Sequence, residues 1–216
     1  MNPQTDESHP HGGSRVATAG APLTSATGAI IALHGRGGDA EDIIALARHV
    51  APPDLAIVAP QAAGNTWYPY AFLEPFARNE PYLSSALRRV GELIAELHDG
   101  GLPIERIALL GFSQGACLAL ETAARSPRRY AAAIGFSGGL IGPPGTAFAY
   151  DGSLDGTPVF LGCSDVDPHI PRARVEESAD ALRALGAVVD IRIYPGMGHS
   201  VNDDELAAVR AILTSR

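Results

Sequence analysis

Residues 106–125 read RIALLGFSQGACLALETAAR. Arg106–Leu110 is a short apolar run of strand type, and Ala116–Arg125 reads as a helix. Between them, Gly111-Phe112-Ser113-Gln114-Gly115 has the spacing G-x-S-x-G. That spacing marks a very tight turn from strand to helix. The serine is held in a strained backbone conformation that pushes its hydroxyl beyond the sheet. The residues two before and two after it must be small, and here both are glycine. A second match, Gly135-Phe136-Ser137-Gly138-Gly139, follows AAAI but runs into LIGPPGT, where Pro143 and Pro144 prevent a helix. Only Ser113 has strand, turn and helix in order, so it is the candidate nucleophile. Ser137 is expected in a tight loop at the edge of the same pocket.

Outward from this unit the chain alternates apolar runs with helical patterns. Strands are expected at Ala29–Leu33, Leu55–Ala59, Ala131–Phe136, Val159–Cys163 and Val188–Tyr194, with an antiparallel edge strand or hairpin in Val16–Leu23. Helices are expected from Asp39 or Ala40 to Val50, and over Tyr82–His98, Ala173–Leu185 and Asp203–Leu213. Continuously apolar strands separated by helices imply a mostly parallel sheet covered on both faces. Ligands of such sheets bind beyond the carboxyl ends of the strands. Residues 1–14 are polar and read as a disordered tail, with no role for His9 or His11. Residues 15–216 read as one domain.

A serine hydroxyl needs a base, and the chain has seven histidines. His49 and His98 fall on helices, His34 sits in the turn after the first long strand, and His169 follows no strand directly. His199 lies in Gly196-Met197-Gly198-His199-Ser200, a glycine-flanked loop at a carboxyl end, and is the candidate base. The acid that orients it should fall between serine and histidine in the chain. Asp165 and Asp167 both follow the strand VFLGC, and Pro168 would stiffen the turn after Asp167. The glycine-rich turn Leu33-His34-Gly35-Arg36-Gly37-Gly38 lacks the G-x-G-x-x-G spacing of a dinucleotide site. It suits an oxyanion hole instead, made by the amides of Arg36 and Gln114. The Arg36 side chain is expected to pair with a local acid such as Asp39, or else to meet an anionic group on the substrate.

Composition narrows the field further. The 216 residues are 46% hydrophobic and 19% charged, with a formal charge of −8. All sixteen basic residues are arginine. That removes Schiff-base, phosphate-loop and Ser-Lys chemistry. The acidic balance argues against nucleic acid as a partner. No apolar run approaches the roughly 18 residues of a membrane span, and the polar start lacks a secretory signal. A cytoplasmic protein without integral membrane association is expected. Two cysteines make neither a disulfide framework nor a four-cysteine zinc site. Six of the thirteen aromatic residues fall within Trp67–Tyr82. Of these, Trp67, Tyr68 and Phe72 are candidates, with Met197, for the apolar wall of a substrate pocket.

The pieces LHGRGGDAEDI, GFSQGA, GFSGGL, SDVDPHIP and YPGMGHSV, in this order over roughly residues 16–214, resemble the phospholipase/carboxylesterase family of α/β-hydrolases, which includes acyl-protein thioesterases. Ser164 stands where that family often carries glycine. The resemblance implies a single-domain α/β-hydrolase fold without a cap domain. It implies Ser113, Asp167 and His199 as a triad, with Arg36 and Gln114 as oxyanion donors. The expected activity is hydrolysis of short- to medium-chain carboxylic esters or thioesters through an acyl-enzyme, with no cofactor and no metal. A lysophospholipase or acyl-protein thioesterase for long chains is the alternative, and a non-catalytic binding module on the same scaffold is a third reading. The expected partner is a small-molecule ester or thioester, with a homodimer left open.

Overall fold

Strands that are apolar at every position need cover on both faces, and the helices of this chain supply it. The computed structural model describes residues 7–215. Seven strands form one sheet: β1 (Val16–Gly20), β2 (Gly28–Leu33), β3 (Leu55–Pro60), β4 (Ile107–Phe112), β5 (Ala132–Phe136), β6 (Pro158–Ser164) and β7 (Val188–Tyr194). Their spatial order is β1-β3-β2-β4-β5-β6-β7. β1 runs antiparallel to β3 at one edge, with Val16 opposite Pro60, and every other pair is parallel. The connecting helices are α1 (Ala40–Arg48), the short α2 (Phe76–Asn79), α3 (Tyr82–Asp99), α4 (Gln114–Arg125), α5 (Arg172–Ala184) and α6 (Asp203–Thr214).

The two faces of the sheet divide the core. Ile31, Leu33, Ile107 and Leu109 point to the side covered by α3, α4 and α5. Their neighbours Ile30, Ala32, Ala108 and Leu110 point to the side covered by α1 and α6, as the two-residue period of a strand requires. Every residue of α4 from Gln114 to Ala124 is buried. Its small residues let it lie close over β4 and β5. α1 begins with a capping box between Asp39 and Asp42. The expected elements are thus present, with ends shifted by one or two residues. The edge segment is a strand only over Val16–Gly20. Among the described residues, no helix is long and apolar enough to cross a membrane.

The segment before β1 departs from expectation. Residues 1–6 of the expected tail lie outside the described residues, but His9 and His11 are buried. His9 Nδ1 lies 2.8 Å from Ser85 Oγ on α3, and its Nε2 faces Glu92. The His11 amide donates to Ser85 Oγ at 2.9 Å. The His11 ring accepts from the Ala63 amide at Nδ1 (3.0 Å), so Nε2 carries the proton and donates to the Trp67 carbonyl (2.9 Å). The physical reason is backbone satisfaction. The stretch after β3 has only a single 3-10 turn, Ala63–Asn65, and its buried amides and carbonyls need partners from elsewhere. Composition alone gives no sign that two tail histidines supply them.

This arrangement requires a neutral His11. Burial lowers its pKa against the opposing pull of the Trp67 carbonyl, and burial lowers that of His34 as well. A histidine whose folded pKa lies below its unfolded value of about 6.5 stabilises the fold fully above that pH. The contribution is lost as pH falls towards the folded value. His11→Gln is therefore expected to cost about 1–3 kcal/mol at pH 7.5, with the gap to wild type narrowing by pH 5.5. Urea unfolding at the two pH values reads this, and a gap that does not change with pH would count against it.

Candidate active site

Ser113 sits between β4 and α4 with φ 54° and ψ −118°. For a residue with a Cβ, such a backbone costs on the order of 1–3 kcal/mol and persists only where its surroundings dictate it. Here the Ser113 amide donates to the Phe136 carbonyl at 2.9 Å, and its own carbonyl accepts from the Cys117 amide at 3.0 Å. A Cβ on Gly111 would lie 2.2 Å from the Gly115 carbonyl carbon, and one on Gly115 would lie 2.1 Å from the Leu33 carbonyl oxygen. β4, α4 and the end of β2 therefore meet at backbone contact. Ser113 occupies the N-cap place of α4 without a side-chain capping bond. Its hydroxyl is directed at His199 instead.

His199 Nε2 lies 2.9 Å from Ser113 Oγ, and Nδ1 lies 2.7 Å from Asp167 Oδ2. With a carboxylate at Nδ1, that nitrogen carries the proton and Nε2 accepts from the serine hydroxyl. The Asp167 side chain is wholly buried. Its Oδ1 accepts from the amides of His169 (2.8 Å) and Ile170 (3.0 Å). Burial works against its charge, but the His199 bond and the two amides outweigh it and hold the carboxyl below its ordinary pKa. The neighbouring Cys163 thiol is pushed up to about 12, by burial first and by Asp167 second. The His199 ring lies 5.0 Å from Phe112 and 4.9 Å, edge to face, from His169.

The loop that carries His199 is fastened at several points. Asp165 Oδ1 accepts from the Gly196 amide at 2.8 Å, and Ser164 Oγ accepts from the Gly198 amide at 3.1 Å. Asp165 thus holds the loop and does not meet the imidazole. Ser137 has the same kind of backbone as Ser113, with φ 50°, but it is fully buried. Its Oγ donates to the Ser200 carbonyl at 3.3 Å. It does not line the cavity, contrary to expectation, because no helix follows to turn it outward. Asn202 and Glu205 close a capping box at the start of α6. Glu205 Oε2 accepts from the Asn202 amide at 2.8 Å. Its Oε1 is buried without a partner among the described residues, in the space where a Cβ on Gly162 would fall. Burial raises the Glu205 pKa to about 7.

A cavity of about 440 Å³ opens beside Ser113, lined in part by Arg36, Tyr68, Phe72 and Gln114. The Gln114 amide is the first of α4 and has no carbonyl a turn before it to receive its hydrogen. The Gln114 side chain accepts from the Trp67 amide (2.8 Å) and donates to the Tyr68 carbonyl (2.8 Å). Arg36 does not pair with Asp39, which caps α1. Its guanidinium donates to Thr66 Oγ1 and to the carbonyls of Pro69 and Tyr70. Arg36 therefore pins the aromatic stretch to the glycine-rich turn, and Gln114 pins it to the start of α4. Of the four residues expected to form the wall, Tyr68 and Phe72 line the cavity, and Trp67 and Met197 do not. Trp67 is completely buried, and its indole donates to the His34 carbonyl at 2.8 Å. Met197 accepts at sulfur from Asn202. Cys117 and His169 line the cavity without having been singled out. His169 follows Asp167 in the same turn, and that adjacency is the signal that points to it. Among the described residues, no group of three or more His, Cys, Asp or Glu is placed to hold a metal ion.

The sequence model of the phospholipase/carboxylesterase family matches residues 15–215. The chain belongs to this family. A phospholipase/carboxylesterase structure from Dyadobacter fermentans is 45% identical and covers 93% of this chain and 96% of its own, with a TM-score of 0.89. The structure of esterase PE8 is 28% identical at a TM-score of 0.75, covering 93% of this chain and 97% of its own. Acyl-protein thioesterase 1 of Neurospora crassa is 32% identical over 132 residues, 58% of this chain and 52% of that protein. The chain thus spans about half the length of the curated relatives it matches. The α/β-hydrolase fold expected from the motifs is the fold of this family.

Glu205 gives the site a titration of its own. A carboxyl with a folded pKa of about 7, against an ordinary 4.5, stabilises the fold fully below about pH 4.5. That contribution is lost as pH rises through 7. Glu205→Gln cannot ionise, so it should gain about 3 kcal/mol on wild type between pH 4.5 and pH 8. Urea unfolding of both proteins at both pH values measures this, and a constant difference would remove Glu205 as the titrating group.

Proposed function

We propose that the chain is a serine carboxylesterase that hydrolyses short- to medium-chain carboxylic esters or thioesters through an acyl-enzyme. The observation that carries this reading is the unbroken run from Ser113 Oγ to His199 Nε2 (2.9 Å) and from His199 Nδ1 to Asp167 Oδ2 (2.7 Å). Ser113 attacks the acyl carbon while His199 takes its proton. The tetrahedral oxyanion is received by the amides of Arg36 and Gln114, with the positive end of α4 behind it. His199 returns the proton to the leaving alcohol or thiol. Water, activated by the same imidazole, then releases the acid. Asp167 keeps the imidazole in the required tautomer and offsets its charge.

The cavity volume of about 440 Å³ favours a small acyl group, since pockets for small ligands start near 300 Å³. The relatives named as thioesterases support extending the reaction to thioesters. The two cysteines are unpaired and buried, which suits a reducing cytoplasm. On this reading residues 15–216 form one catalytic domain acting on a small-molecule partner.

Labelling by a fluorophosphonate probe and hydrolysis of p-nitrophenyl esters and acyl thioesters of graded length test the proposal. Rates should peak at short or medium length, and a rise up to sixteen carbons would favour the long-chain alternative. Ser113→Ala should lose on the order of 10³-fold or more in kcat, whereas Ser137→Ala should keep the greater part. A dead Ser137→Ala beside an active Ser113→Ala would reverse the nucleophile assignment. Asp167→Asn should lose on the order of 10⁴-fold, as expected for a tautomer-setting acid, and Asp165→Asn far less. Equal mild losses would remove both carboxylates from the mechanism.

A further inference from the structure

Among the residues lining the cavity beside Ser113, Arg36 alone carries a fixed charge, and none is Asp or Glu. Arg36 is exposed, and its guanidinium stands among other lining residues. Nη1 donates to the Pro69 carbonyl at 2.8 Å and Nη2 to the Tyr70 carbonyl at 2.6 Å. Its central carbon lies 6.0 Å from the centre of the Tyr68 ring. Nη1 also donates to Thr66 Oγ1 at 3.1 Å. Three of the five N–H donors of a guanidinium are thereby used, and the Nε–H is not one of them.

All three acceptors are uncharged, in a chain where carboxylates are not scarce. It holds 24 acidic residues to 16 basic ones, and arginines elsewhere pair with them, as Arg78 does with Glu74 and Arg172 with Glu176. The acids next to Arg36 in the sequence are engaged without it. Asp39 and Asp42 exchange bonds in the cap of α1, and Glu41 pairs with Arg15. Among the described residues no carboxylate forms an ion pair with Arg36. The guanidinium is thus held in place by neutral oxygens with its charge unmatched. A carboxylate that reaches it gains a charge-assisted bond, and the side chain is already ordered. The formal charge of −8 on the whole chain repels anions, so attraction of one rests on this local contact.

We propose that the cavity takes acyl chains that end in a carboxylate, that is, half-esters or half-thioesters of short dicarboxylic acids, and that the Arg36 guanidinium binds the free carboxylate. This rests on the hydrolase reading above, on which the cavity receives the acyl group, and names its substrate class. Arg36 then serves both ends of one acyl chain, with its amide at the carbonyl that reacts and its guanidinium at the carboxylate that does not. One side chain separates the two groups, so the diacid is short, in the range from succinic to adipic.

The test compares the monoethyl esters of succinic, glutaric and adipic acids with the same esters ending in a carboxamide, in wild type, Arg36→Gln and Arg36→Lys. The quantity read is the ratio of kcat/KM for a half-ester to that for its amide, from release of ethanol. Losses common to both esters, including any shift of the aromatic stretch or of the Arg36 amide, cancel in this ratio. In wild type it should exceed one for at least one chain length. At that length it should fall about tenfold in Arg36→Gln, chiefly through KM, one charge-assisted hydrogen bond being worth a change of that order. Arg36→Lys keeps the charge and should keep the greater part of the ratio. Raising NaCl from about 0.02 M to about 0.5 M should lower the wild-type ratio, because salt screens the attraction. A wild-type ratio below one at every length would overturn the proposal, as would an unchanged ratio in Arg36→Gln. A lysine variant as poor as the glutamine variant would assign the loss to the shape of the turn and overturn it too. If Arg36→Gln does not fold, a wild-type ratio that salt leaves unmoved has the same force. Hydrolysis of p-nitrophenyl esters without hydrolysis of any half-ester would overturn the proposal and leave the hydrolase reading standing. If wild type hydrolyses no ester at all, the hydrolase reading fails by itself, and the cavity is then tested by binding. The Tm shifts given by succinamate and glutaramate should exceed those of the corresponding diamides in wild type, and equal shifts would overturn the inference.

Discussion

The contact between Gly115 and the carbonyl of Leu33 sets the geometry of everything around it. A Cβ at that glycine would sit 2.1 Å from the oxygen, so α4 can approach the end of β2 only because the side chain is missing. The approach brings the start of α4 beside the glycine-rich turn that follows β2. It therefore fixes where the amides of Gln114 and Arg36 stand relative to one another. Gly111 does the same on the inner side, against Gly115 itself. Ser113, between them, takes a backbone that its own chemistry disfavours. The strain is held by a buried strand before it and a fully buried helix after it, which cannot relax without opening the core.

The rest of the site is built from segments with no regular structure, and their order comes from side chains. The stretch from Ala62 to Phe72 must satisfy buried backbone groups without a ladder. Gln114, Arg36, His11 and His34 each contribute ring, amide or guanidinium bonds to it. Gln114 and Arg36 were expected at the site for their main-chain amides, and the Arg36 side chain for a pairing with a local acid or a substrate anion. Their side chains tie the same amides to the wall of the cavity. A change at Gln114 or Arg36 would therefore reach the cavity wall as well as the turn. Trp67 belongs to this scaffold, and its neighbour Tyr68 lines the cavity.

What was legible in the sequence follows from this division. The strands of the sheet and the helices that cover it were readable because burial on two faces leaves continuous apolar runs, as in Ala29–Leu33, and burial on one face leaves a helical period, as in Tyr82–His98. Ser113 and His199 were readable because each needs glycines at fixed places. Asp167 was separable from Asp165 by resemblance, but not by spacing. What escaped was whatever depends on packing between distant segments. Nothing local to His9 or His11 says that α3 and the aromatic stretch will receive them. Arg36 lies three residues from Asp39, yet Asp39 is engaged as the cap of α1 and leaves it to other partners. Ser137 carries the motif of the nucleophile, and only the prolines after it told the two serines apart.

The turn after β6 shows how little sequence separates these roles. Ser164, Asp165 and Asp167 fall within four residues, and all three serve His199. Ser164 and Asp165 accept from the amides of Gly198 and Gly196, so they hold the backbone of the histidine loop. Asp167 alone turns inward, where the amides of His169 and Ile170 occupy one oxygen and leave the other for the imidazole. Asp165 is held instead at Gly196, beside the paired ends of β6 and β7, where Ser164 faces Tyr194. A serine at 164 adds a hydroxyl that glycine at this position would lack, and that hydroxyl holds the residue next to His199. The departure from the residue that the resemblance implies therefore falls on the support of the loop carrying His199.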